Sequence, residues 1–469
     1  MSARGALFIC LGAFLAANVA PAAELPQASD PTFLSAEKAL AARQAQVPDP
    51  TPPRNVILFI ADGMGPAMVT ATRLAAGQAQ GGPGDNHVLS FEAFPHLALA
   101  KTWNLDAQTA DSAGTATAML GGVKARKGVI GMGPGTLRGE CATADPVATL
   151  GELAVARGLA TGIVSTARVT HATPAAFYAH AADRNWEDDS AMPPGSGCTD
   201  IARQLIDFPF DVALGGGRAS FLPAGRTGIE GSPGRRADGR DLIAEWQAAG
   251  PSRAVVQDAA GFEVALGAPP ERLLGLFNPA HMAFAADRAS DPAGEPTLEQ
   301  MTRLAIAMLK RSDRGYLLLV EGGLVDPALH LKDLPRALVE GMAFDRAVAR
   351  AVQMTDPRDT LILVTSDHDH RMPPWAATPR GAAVGKLDTW RAGASPVSGT
   401  ARPPLSLADF ARIALGHPLE RGPLGIGSHS PADVAVYGQG PMAHLMSGTV
   451  EQTYLFQLIA HALDLLPDP

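Results

Sequence analysis

The chain has 469 residues, of which 46% are hydrophobic and 18% are charged, and its formal net charge is −9. This length and composition predict a large packed core, in one large α/β domain or two medium ones, and exclude a wholly disordered chain. The acidic balance and the lack of a long basic stretch argue against non-specific nucleic-acid binding.

The N-terminus has the pattern of a targeting segment. Arg4 precedes an apolar stretch that ends at an A-x-A cleavage signal, Ala20-Pro21-Ala22. We therefore expect residues 1–22 to be a cleavable signal peptide and the mature protein to be periplasmic or secreted. The apolar stretch is too short for a comfortable membrane span, and no later run in the sequence replaces it.

Composition divides the rest of the chain. Residues 23–53 are rich in Ala, Pro and Gln and predict an N-terminal arm, helical or loose, with a linker. Residues 54–469 are then expected to form the main, catalytic domain. Within it, residues 219–241 are dense in Gly, Pro and Arg and predict an exposed loop, and residues 371–425 predict an inserted loop or small cap.

Short apolar runs alternate with segments of helical periodicity from Asn55 onward. The predicted strands are 55–61, 161–165, 211–214, 316–320, 360–366 and 433–437, and the predicted helices are 147–157, 199–206, 298–311, 334–354 and 450–466. Continuous apolar runs are typical of parallel strands that are buried on both faces. The pattern predicts a three-layer α/β sandwich, with a central, mostly parallel sheet and helices on both faces.

Two cysteines, Cys141 and Cys198, remain of the three once the signal peptide is removed. In an oxidising compartment an even number favours a disulfide, and two buried free thiols are the alternative. Their spacing is not that of a zinc–thiolate site.

Residue types that bind metals stand at the ends of the predicted strands. Asp62, Glu321 and Asp367-His368 each follow a strand directly, whereas His429 precedes the last one. In open α/β sheets the ligand site lies beyond the carboxyl ends of the strands. Carboxylates and imidazoles gathered there form a ligand set suited to divalent cations, so this pattern predicts a metalloenzyme.

Asp326-Pro327 predicts the start of a helix, with the aspartate as N-cap and the proline at the first helical position. His330 would then lie on the same face as Asp326, and such a pair can bind zinc. A capped helix with a solvent-facing histidine is the alternative for this pair alone. The neighbouring Glu321 and Asp367-His368 favour the metal site.

Ser112 stands among small residues directly after Asp111, which could cap a helix starting there. A helix N-terminus suits a phosphate and favours an alkoxide. The segment has no Gly-x-Ser-x-Gly motif, so metal coordination rather than a Ser-His-Asp triad is the expected route to an activated serine. An ordinary helix of small residues is the alternative.

Arg184 follows in a polar stretch beyond the 161–165 strand. A guanidinium can bind two phosphate oxygens at once, which makes Arg184 a candidate phosphate clamp. A surface Arg–Asp ion pair is the alternative.

These motifs resemble those of the alkaline phosphatase family and occur in the family's order. The resemblance extends from about Asn55 to Leu466. It rests on Asp62-Gly63-Met64-Gly65, Asp111-Ser112-Ala113, His171-Ala172-Thr173, Glu321-Gly322-Gly323, Asp326, His330, Asp367-His368 and His429. Cys141 and Cys198 also resemble a disulfide pair found in part of the family.

The resemblance implies a phosphomonoesterase with two zinc ions and one magnesium ion, acting on small phosphate monoesters as a homodimer. Asp326, His330 and His429 would hold one zinc, Asp62, Asp367 and His368 the other, and Asp62, Thr173 and Glu321 the magnesium, with His171 beside it. Ser112 would attack phosphorus in line to form a phosphoserine, and Arg184 would clamp the phosphate oxygens.

Two positions depart from the family pattern. His171 stands where some members carry a carboxylate near the magnesium, and Pro327 stands where many carry a phosphate-binding Lys, His or Trp. His370 is expected to be a structural residue or to lie behind the ligands.

Two alternatives to a phosphomonoesterase remain. The alternative enzyme is a phosphodiesterase or sulfatase-like hydrolase of the same superfamily, against which Arg184 argues. A non-catalytic protein that binds metal or phosphate would leave Ser112 unexplained.

Overall fold

The computed structural model describes residues 27–372, 384 and 428–466. The predicted signal peptide and nearly all of the 371–425 loop lie outside these residues. The chain separates into two compact units, Met1–Pro48 and Asp49–Pro469. In the first, helix α1 (Pro31–Gln44) is capped by the Asp30 carboxylate, which accepts hydrogen bonds from two backbone N–H groups, and the helix buries none of its residues.

The second unit contains the sheet. Its strands are β1 (Asn55–Ala61), β2 (His96–Lys101), β3 (Ala160–Arg168), β4 (Val212–Gly216), β5 (Arg253–Val256), β6 (Arg272–Leu276), β7 (Tyr316–Gly322), β8 (Thr360–Thr365), β9 (Asp369–His370), β10 (His429–Ser430), β11 (Val434–Gln439) and β12 (Ser447–Glu451). Its α-helices are α2 (Pro66–Ala79), α3 (Ser112–Gly121), α4 (Leu150–Ala156), α5 (Ala172–Ala175), α6 (Ile201–Asp207), α7 (Leu242–Ala248), α8 (Ala259–Gly267), α9 (Leu298–Leu309), α10 (Val325–His330), α11 (Leu334–Met354) and α12 (Thr453–Ala462). None of the helices in the described part of the chain is long and apolar enough to cross a membrane.

Ten of these strands form one sheet in the order β12-β2-β11-β8-β1-β7-β3-β4-β6-β5. Neighbouring strands run parallel except where β11 pairs with β2 and with β8. Strand β1 lies between β7 and β8, and Asn55 is level with Tyr316 on one side and Thr360 on the other. The predicted mostly parallel sheet is therefore confirmed.

A hydrophobic core lies on each face of the sheet. All seven residues of β1 are buried, and successive side chains point to opposite faces. Val56 and Leu58 belong to the core that includes residues of α3, α4 and α12, whereas Ile57 and Phe59 belong to the core that includes residues of α9 and α11. This double burial explains why the strand sequence is continuously apolar after Asn55, and it confirms the predicted three layers.

The structure corrects the predicted direction of one strand and the predicted limits of two helices. The 433–437 run forms β11, which is antiparallel to its neighbours rather than parallel. Helix α10 begins at Val325, with Leu324 at the N-cap position, so Asp326 lies in the first turn and is not the cap. Helix α12 begins only at Thr453, because the residues just before it pair with β2 as strand β12.

The loop predicted over residues 219–241 is exposed only in part. Its tip is exposed, but Arg236 is 1% exposed, and its guanidinium donates two hydrogen bonds to the Asp200 carboxylate, at 2.9 and 3.0 Å. An arginine can be buried in this way when a carboxylate neutralises its charge and accepts its hydrogen bonds. The density of arginine in the segment therefore reflects buried ion pairs as well as solvation.

The two cysteines that remain in the mature chain are bonded. Cys141 and Cys198 form a disulfide with their Cα atoms 5.8 Å apart. This separation lies within the usual range for a disulfide. The alternative of two free thiols is wrong.

Candidate active site

The carboxyl ends of β1, β7 and β8 bring three predicted metal ligands together. These strands are adjacent and parallel, so the residues that end them or follow them lie at the same edge of the sheet. Asp62, Glu321 and Asp367 are all 0% exposed. Strand β7 extends to Gly322, so Glu321 lies inside the strand rather than after it.

His429 reaches this edge because β11 is antiparallel. The amino end of an antiparallel strand lies where its parallel neighbours have their carboxyl ends, and His429 is level with His370 in the short β9–β10 pair. The Nδ1 atom of His429 lies 2.7 Å from the carbonyl oxygen of Ala110. A carbonyl can only accept, so Nδ1 donates this bond and Nε2 faces the other ligands.

Asp326, His330 and His429 form the first cluster. His330 Nε2 lies 3.1 Å from His429 Nε2 and 3.2 Å from Asp326 Oδ2, and His429 Nε2 lies 3.3 Å from Asp326 Oδ1. Burial alone would raise the pKa of Asp326, but the two histidines outweigh it and lower that pKa well below its usual value. His370 Nε2 is 3.9 Å from Asp326 Oδ1, so this histidine also faces the cluster.

Asp62, Asp367 and His368 form the second cluster. His368 Nε2 lies 3.4 Å from Asp62 Oδ1 and 3.2 Å from Asp367 Oδ2. The Ser112 hydroxyl adjoins this cluster, at 3.2 Å from His368 Nε2 and 3.5 Å from Asp62 Oδ1. A cation held here would therefore lie next to the serine oxygen.

The third cluster contains Asp62, His171 and Glu321, whose ligand atoms lie within 4.8 Å of one another. Ser165 donates a hydrogen bond to Glu321, and Thr173 is fully buried nearby, in α5. Burial and the surrounding carboxylates raise the pKa of Asp62 well above its usual value. Burial likewise raises the pKa of Glu321 to about 7 and that of Asp367 to about 6.

Ser112 is the first residue of α3, as predicted. The Asp111 carboxylate caps the helix by accepting from the Gly114 N–H at 3.2 Å. Asn104 donates to the same carboxylate at 2.8 Å, and its side chain packs so closely on Gly114 that a Cβ there would come within 2.6 Å. The serine is 2% exposed, so the helix holds its hydroxyl in a site largely closed to solvent.

Arg184 is held by two groups of the site. Its Nη1 donates to Asp111 Oδ2 at 3.1 Å, and its Nη2 lies 2.8 Å from His171 Nε2. An arginine can only donate, so His171 Nε2 accepts this bond. Burial and the nearby Arg184 lower the pKa of His171 well below its usual value, which keeps the imidazole neutral. The alternative of a surface ion pair is wrong, because Asp111 is buried beside Ser112.

The residues fit divalent cations. Asp62 Oδ2 and Glu321 Oε1 are buried and accept no hydrogen bond from any residue that the structure describes. Buried carboxylates without partners are costly unless a positive charge compensates them. The donor set consists of carboxylate oxygens, imidazole nitrogens and a threonine hydroxyl, of which the nitrogens suit zinc and the oxygens suit magnesium.

Two contacts of the site were not predicted from the sequence. Asp111 was interpreted as a helix cap alone, yet it also positions Arg184. Ser165 was assigned only to a strand, yet it donates to Glu321. An aspartate at a helix start and a serine in a strand are both common in ordinary structure, so neither residue type indicated the role.

Comparison with known proteins identifies the family. A family model described as alkaline phosphatase matches residues 53–395, which is more than half of the chain. The chain belongs to the alkaline phosphatase family. The tissue-nonspecific alkaline phosphatase of Gallus gallus is 40% identical over 445 residues, covering 88% of this chain and 85% of that protein. With such relatives, the chain is an alkaline phosphatase enzyme, a hydrolase of phosphoric monoesters.

Solved alkaline phosphatases share the fold. The crystal structure of the Thermus thermophilus alkaline phosphatase has a TM-score of 0.69 at 25% identity and covers 91% of this chain and 94% of that one. The alkaline phosphatase of the Antarctic bacterium TAB5 has a TM-score of 0.63 at 22% identity and covers 88% of this chain and 99% of that one. The fold of this alkaline phosphatase is therefore the one expected from its sequence.

Proposed function

We propose that this alkaline phosphatase hydrolyses small phosphate monoesters through a phosphoserine on Ser112, at a site for two zinc ions and one magnesium ion. One observation carries the proposal. The Ser112 hydroxyl lies within 3.5 Å of both His368 and Asp62, at the N-terminus of α3. A serine in this position can be ionised by a cation that these two residues bind.

The proposed ligand sets follow the three clusters, with Thr173 added to the third. Asp326, His330 and His429 would hold one zinc, and Asp62, Asp367 and His368 the second. Asp62, Thr173 and Glu321 would hold the magnesium, with His171 beside it. When bound, the ions would compensate the buried carboxylates and act as Lewis acids toward the serine and leaving-group oxygens. His370 Nε2 also faces the first cluster, at 3.9 Å from Asp326 Oδ1, and is assigned no direct role.

The residues of this chain supply nucleophile, orientation and charge. Ser112 Oγ attacks phosphorus in line, so the Oγ–P bond forms as the bond from phosphorus to the leaving oxygen breaks. Arg184 donates to the phosphate oxygens that do not react, and Asp111 holds its guanidinium in place. A water molecule then attacks phosphorus from the opposite side, which breaks the Oγ–P bond and releases inorganic phosphate.

His171 bears on which cation occupies the third cluster. A histidine-to-aspartate variant of the TAB5 phosphatase, with a TM-score of 0.61 and 22% identity, is described with magnesium bound in its M3 site. Imidazole suits zinc better than magnesium. We therefore propose that His171 weakens magnesium here relative to a carboxylate and lets zinc compete for the site.

Arg184 favours monoesters over the alternative substrates. A monoester has three unbridged phosphate oxygens, whereas a diester has two, so a bidentate clamp together with two cations matches the monoester. A protein that only bound metal or phosphate would not need the Ser112 hydroxyl beside the second cluster.

The Ser112→Ala variant tests the proposal. We expect hydrolysis of p-nitrophenyl phosphate at alkaline pH to fall by more than about a thousandfold while the bound zinc, measured by elemental analysis, is retained. Ser447→Ala, at an exposed position of β12, is the matched control. Turnover at the wild-type rate in Ser112→Ala would overturn the phosphoserine route.

We also propose that the enzyme forms a homodimer after export to the periplasm or medium. Strand β2 exposes Leu97 and Leu99, at 53% and 40%, near the β12 edge of the sheet. Neighbouring exposed apolar side chains of this kind are typical of a surface that a partner covers. The disulfide is consistent with an oxidising compartment. A monomeric mass by light scattering would contradict the dimer.

A further inference from the structure

Gln452 is a buried amide outside the ligand clusters that contacts the backbone of a proposed ligand. It lies between the end of β12 and the start of α12 and is 0% exposed. Its Nε2 donates to the backbone carbonyl oxygen of Asp367 at 2.6 Å. Its Oε1 is buried and accepts no hydrogen bond from any described residue, so the side chain is oriented by this one donated bond.

The peptide that Gln452 contacts joins Asp367 to His368, two proposed ligands of the second zinc. The Asp367 carboxylate accepts from the N–H groups of Gly63, at 3.0 Å, and His368, at 2.8 Å. Ser366 donates to the carbonyl oxygen of His368 at 2.7 Å. These contacts fix the two sides of the peptide unit, and Gln452 fixes the carbonyl between them. A rotation of this peptide would turn both ligands away from the cluster.

The helix that follows Gln452 also contacts the nucleophile helix. Leu455 and Phe456 of α12 share one hydrophobic core with Ala113 and Ala116 of α3. At Gly122, the residue that caps the C-terminal end of α3, an added Cβ would come within 2.7 Å of the Phe456 ring, so the two helices pack without space for a side chain. The same short segment therefore touches both the helix that presents Ser112 and the peptide that joins two ligands.

We propose that Gln452 is a positioning residue that sets the second zinc cluster at its distance from Ser112, an inference that rests on the proposed two-zinc function. The role requires a hydrogen-bond donor on the side chain. The carbonyl of Asp367 accepts only from an N–H or O–H group, and an ionised glutamate or a leucine has none. Partners that orient metal ligands from behind typically contribute about 10- to 100-fold to metal affinity.

Two substitutions test this role in the full-length protein. Gln452→Glu keeps the size of the side chain and removes the donor, and Gln452→Leu removes the polar group altogether. Gln457→Leu changes an exposed glutamine on the same helix and is the matched control. We measure zinc stoichiometry and affinity by chelator competition, and the visible spectrum after substitution with Co²⁺, beside kcat and KM.

We expect one of the two zinc ions to bind about 10- to 100-fold more weakly in both Gln452 variants, with normal affinity in Gln457→Leu. The Co²⁺ spectrum should change for that ion alone, and kcat should fall more than the affinity for inorganic phosphate. In Gln452→Glu the loss relative to wild type should shrink as the pH is lowered, because a protonated carboxyl can donate to the Asp367 carbonyl.

The outcomes separate this inference from the proposed function. Variants that hold both zinc ions with wild-type affinity would overturn the positioning role, even if they unfold at a lower temperature. If Gln452→Leu does not fold, the isosteric Gln452→Glu variant decides. A wild-type protein that binds no pair of zinc ions would instead overturn the function on which the inference rests.

Discussion

Two groups of buried charges lie near the edge of the sheet where the parallel strands have their carboxyl ends. In the first, Arg168 and Glu187, the charges of the side chains neutralise each other, and in the second, Asp62, Glu321 and Asp367, they do not. Arg168, at the end of β3, donates to the Glu187 carboxylate from Nε at 2.7 Å and from Nη2 at 2.6 Å, and Thr170 donates to the same group at 2.5 Å. Burial alone would raise the pKa of Glu187, but Arg168 outweighs it and lowers that pKa.

Among the residues that the structure describes, no arginine or lysine pairs in this way with the carboxylates of Asp62, Glu321 and Asp367. Burial raises their pKa values and nearby carboxylates add to the effect, although Arg184 opposes it at Asp62 and Glu321. A structural ion pair is complete within the protein, whereas a metal site leaves negative charge that an ion must compensate. Burial is the same in both groups, so it is the charge balance that distinguishes a candidate active site from a structural network.

Removal of the cations should have the largest effect on activity. It should affect the cluster of Asp62, Glu321 and Asp367, whose negative charge the chain leaves uncompensated, and not the Arg168–Glu187 pair. We expect EDTA to lower the hydrolysis of p-nitrophenyl phosphate by more than about a thousandfold, since the serine would lose the charge that ionises it. Addition of zinc and magnesium should restore the rate. A chelated sample that hydrolyses at the full rate would contradict the metal-dependent mechanism.

Breaking the Arg168–Glu187 ion pair should lower the stability of the protein rather than its activity. Arg168→Met leaves Glu187 buried without its cation, and we expect a loss of about 3–5 kcal/mol in the free energy of unfolding, measured in urea. The double variant Arg168→Met/Glu187→Leu should recover part of the loss, because it removes the uncompensated charge as well. With Glu187→Leu measured as well, a double variant whose loss equals the sum of the two single losses would show that the pair is not coupled.

Part of the fold could be predicted from the sequence, because strands that are buried on both faces of the sheet have runs of consecutive apolar residues. The runs before Asp62, Glu321 and Asp367 each contain at least four consecutive apolar residues, and each proved to be a central parallel strand. Strand β2 was missed because it alternates between buried and exposed residues. The direction of β11 was predicted wrongly because apolar content does not encode strand direction, although its burial also alternates, as is common in antiparallel strands.

The residue types of the site could be predicted, but not their mutual contacts. Asp62, His368 and Ser112 are far apart along the chain, and the parallel sheet with α3 brings them within hydrogen-bonding distance. The bond from Arg184 to His171 depends on the loop between them, for which the sequence offers no periodicity. The roles of these residues in catalysis remain predictions that the Ser112→Ala and chelation experiments test.

The stability of the cation-free protein should depend on pH because the buried carboxyl groups of Asp367 and Glu321 have raised pKa values. A carboxyl whose pKa is raised in the folded state binds more protons there than in the unfolded chain. The stability that such a carboxyl contributes to the folded protein is therefore fully present below about pH 4. It is lost as the pH rises through the pKa of the folded state, which is about 6 for Asp367 and about 7 for Glu321. A pKa that differs by one between the folded and unfolded chains corresponds to about 1.4 kcal/mol of stability.

We accordingly expect the EDTA-treated protein to unfold more easily in urea at pH 8 than at pH 5. Zinc should stabilise it more at pH 8, where the carboxylates are ionised and ready to bind. A cation-free protein whose stability rises between pH 5 and pH 8 would show that these carboxylates are compensated by the chain after all.

Glu340 has a raised pKa but lies outside the metal-binding clusters of the described residues. Its substitution should have the smallest effect of those considered. Glu340 is 3% exposed on α11, accepts from the Ala285 N–H at 2.5 Å, and burial raises its pKa to about 7. Glu340→Gln should gain stability relative to wild type as the pH rises from about 4.5 to 7, by about 1–3 kcal/mol in urea unfolding.

Zinc binding and turnover should not change in Glu340→Gln, and Glu263→Gln, on the exposed side of α8, is the matched control. A gain in stability with unaltered metal content would show that one buried carboxyl group is a cost in stability and nothing more. The clustering of Asp62, Glu321 and Asp367, rather than the pKa of any one of them, is then what requires an ion. Loss of zinc in Glu340→Gln would contradict this distinction, because the charge on α11 would then belong to the site.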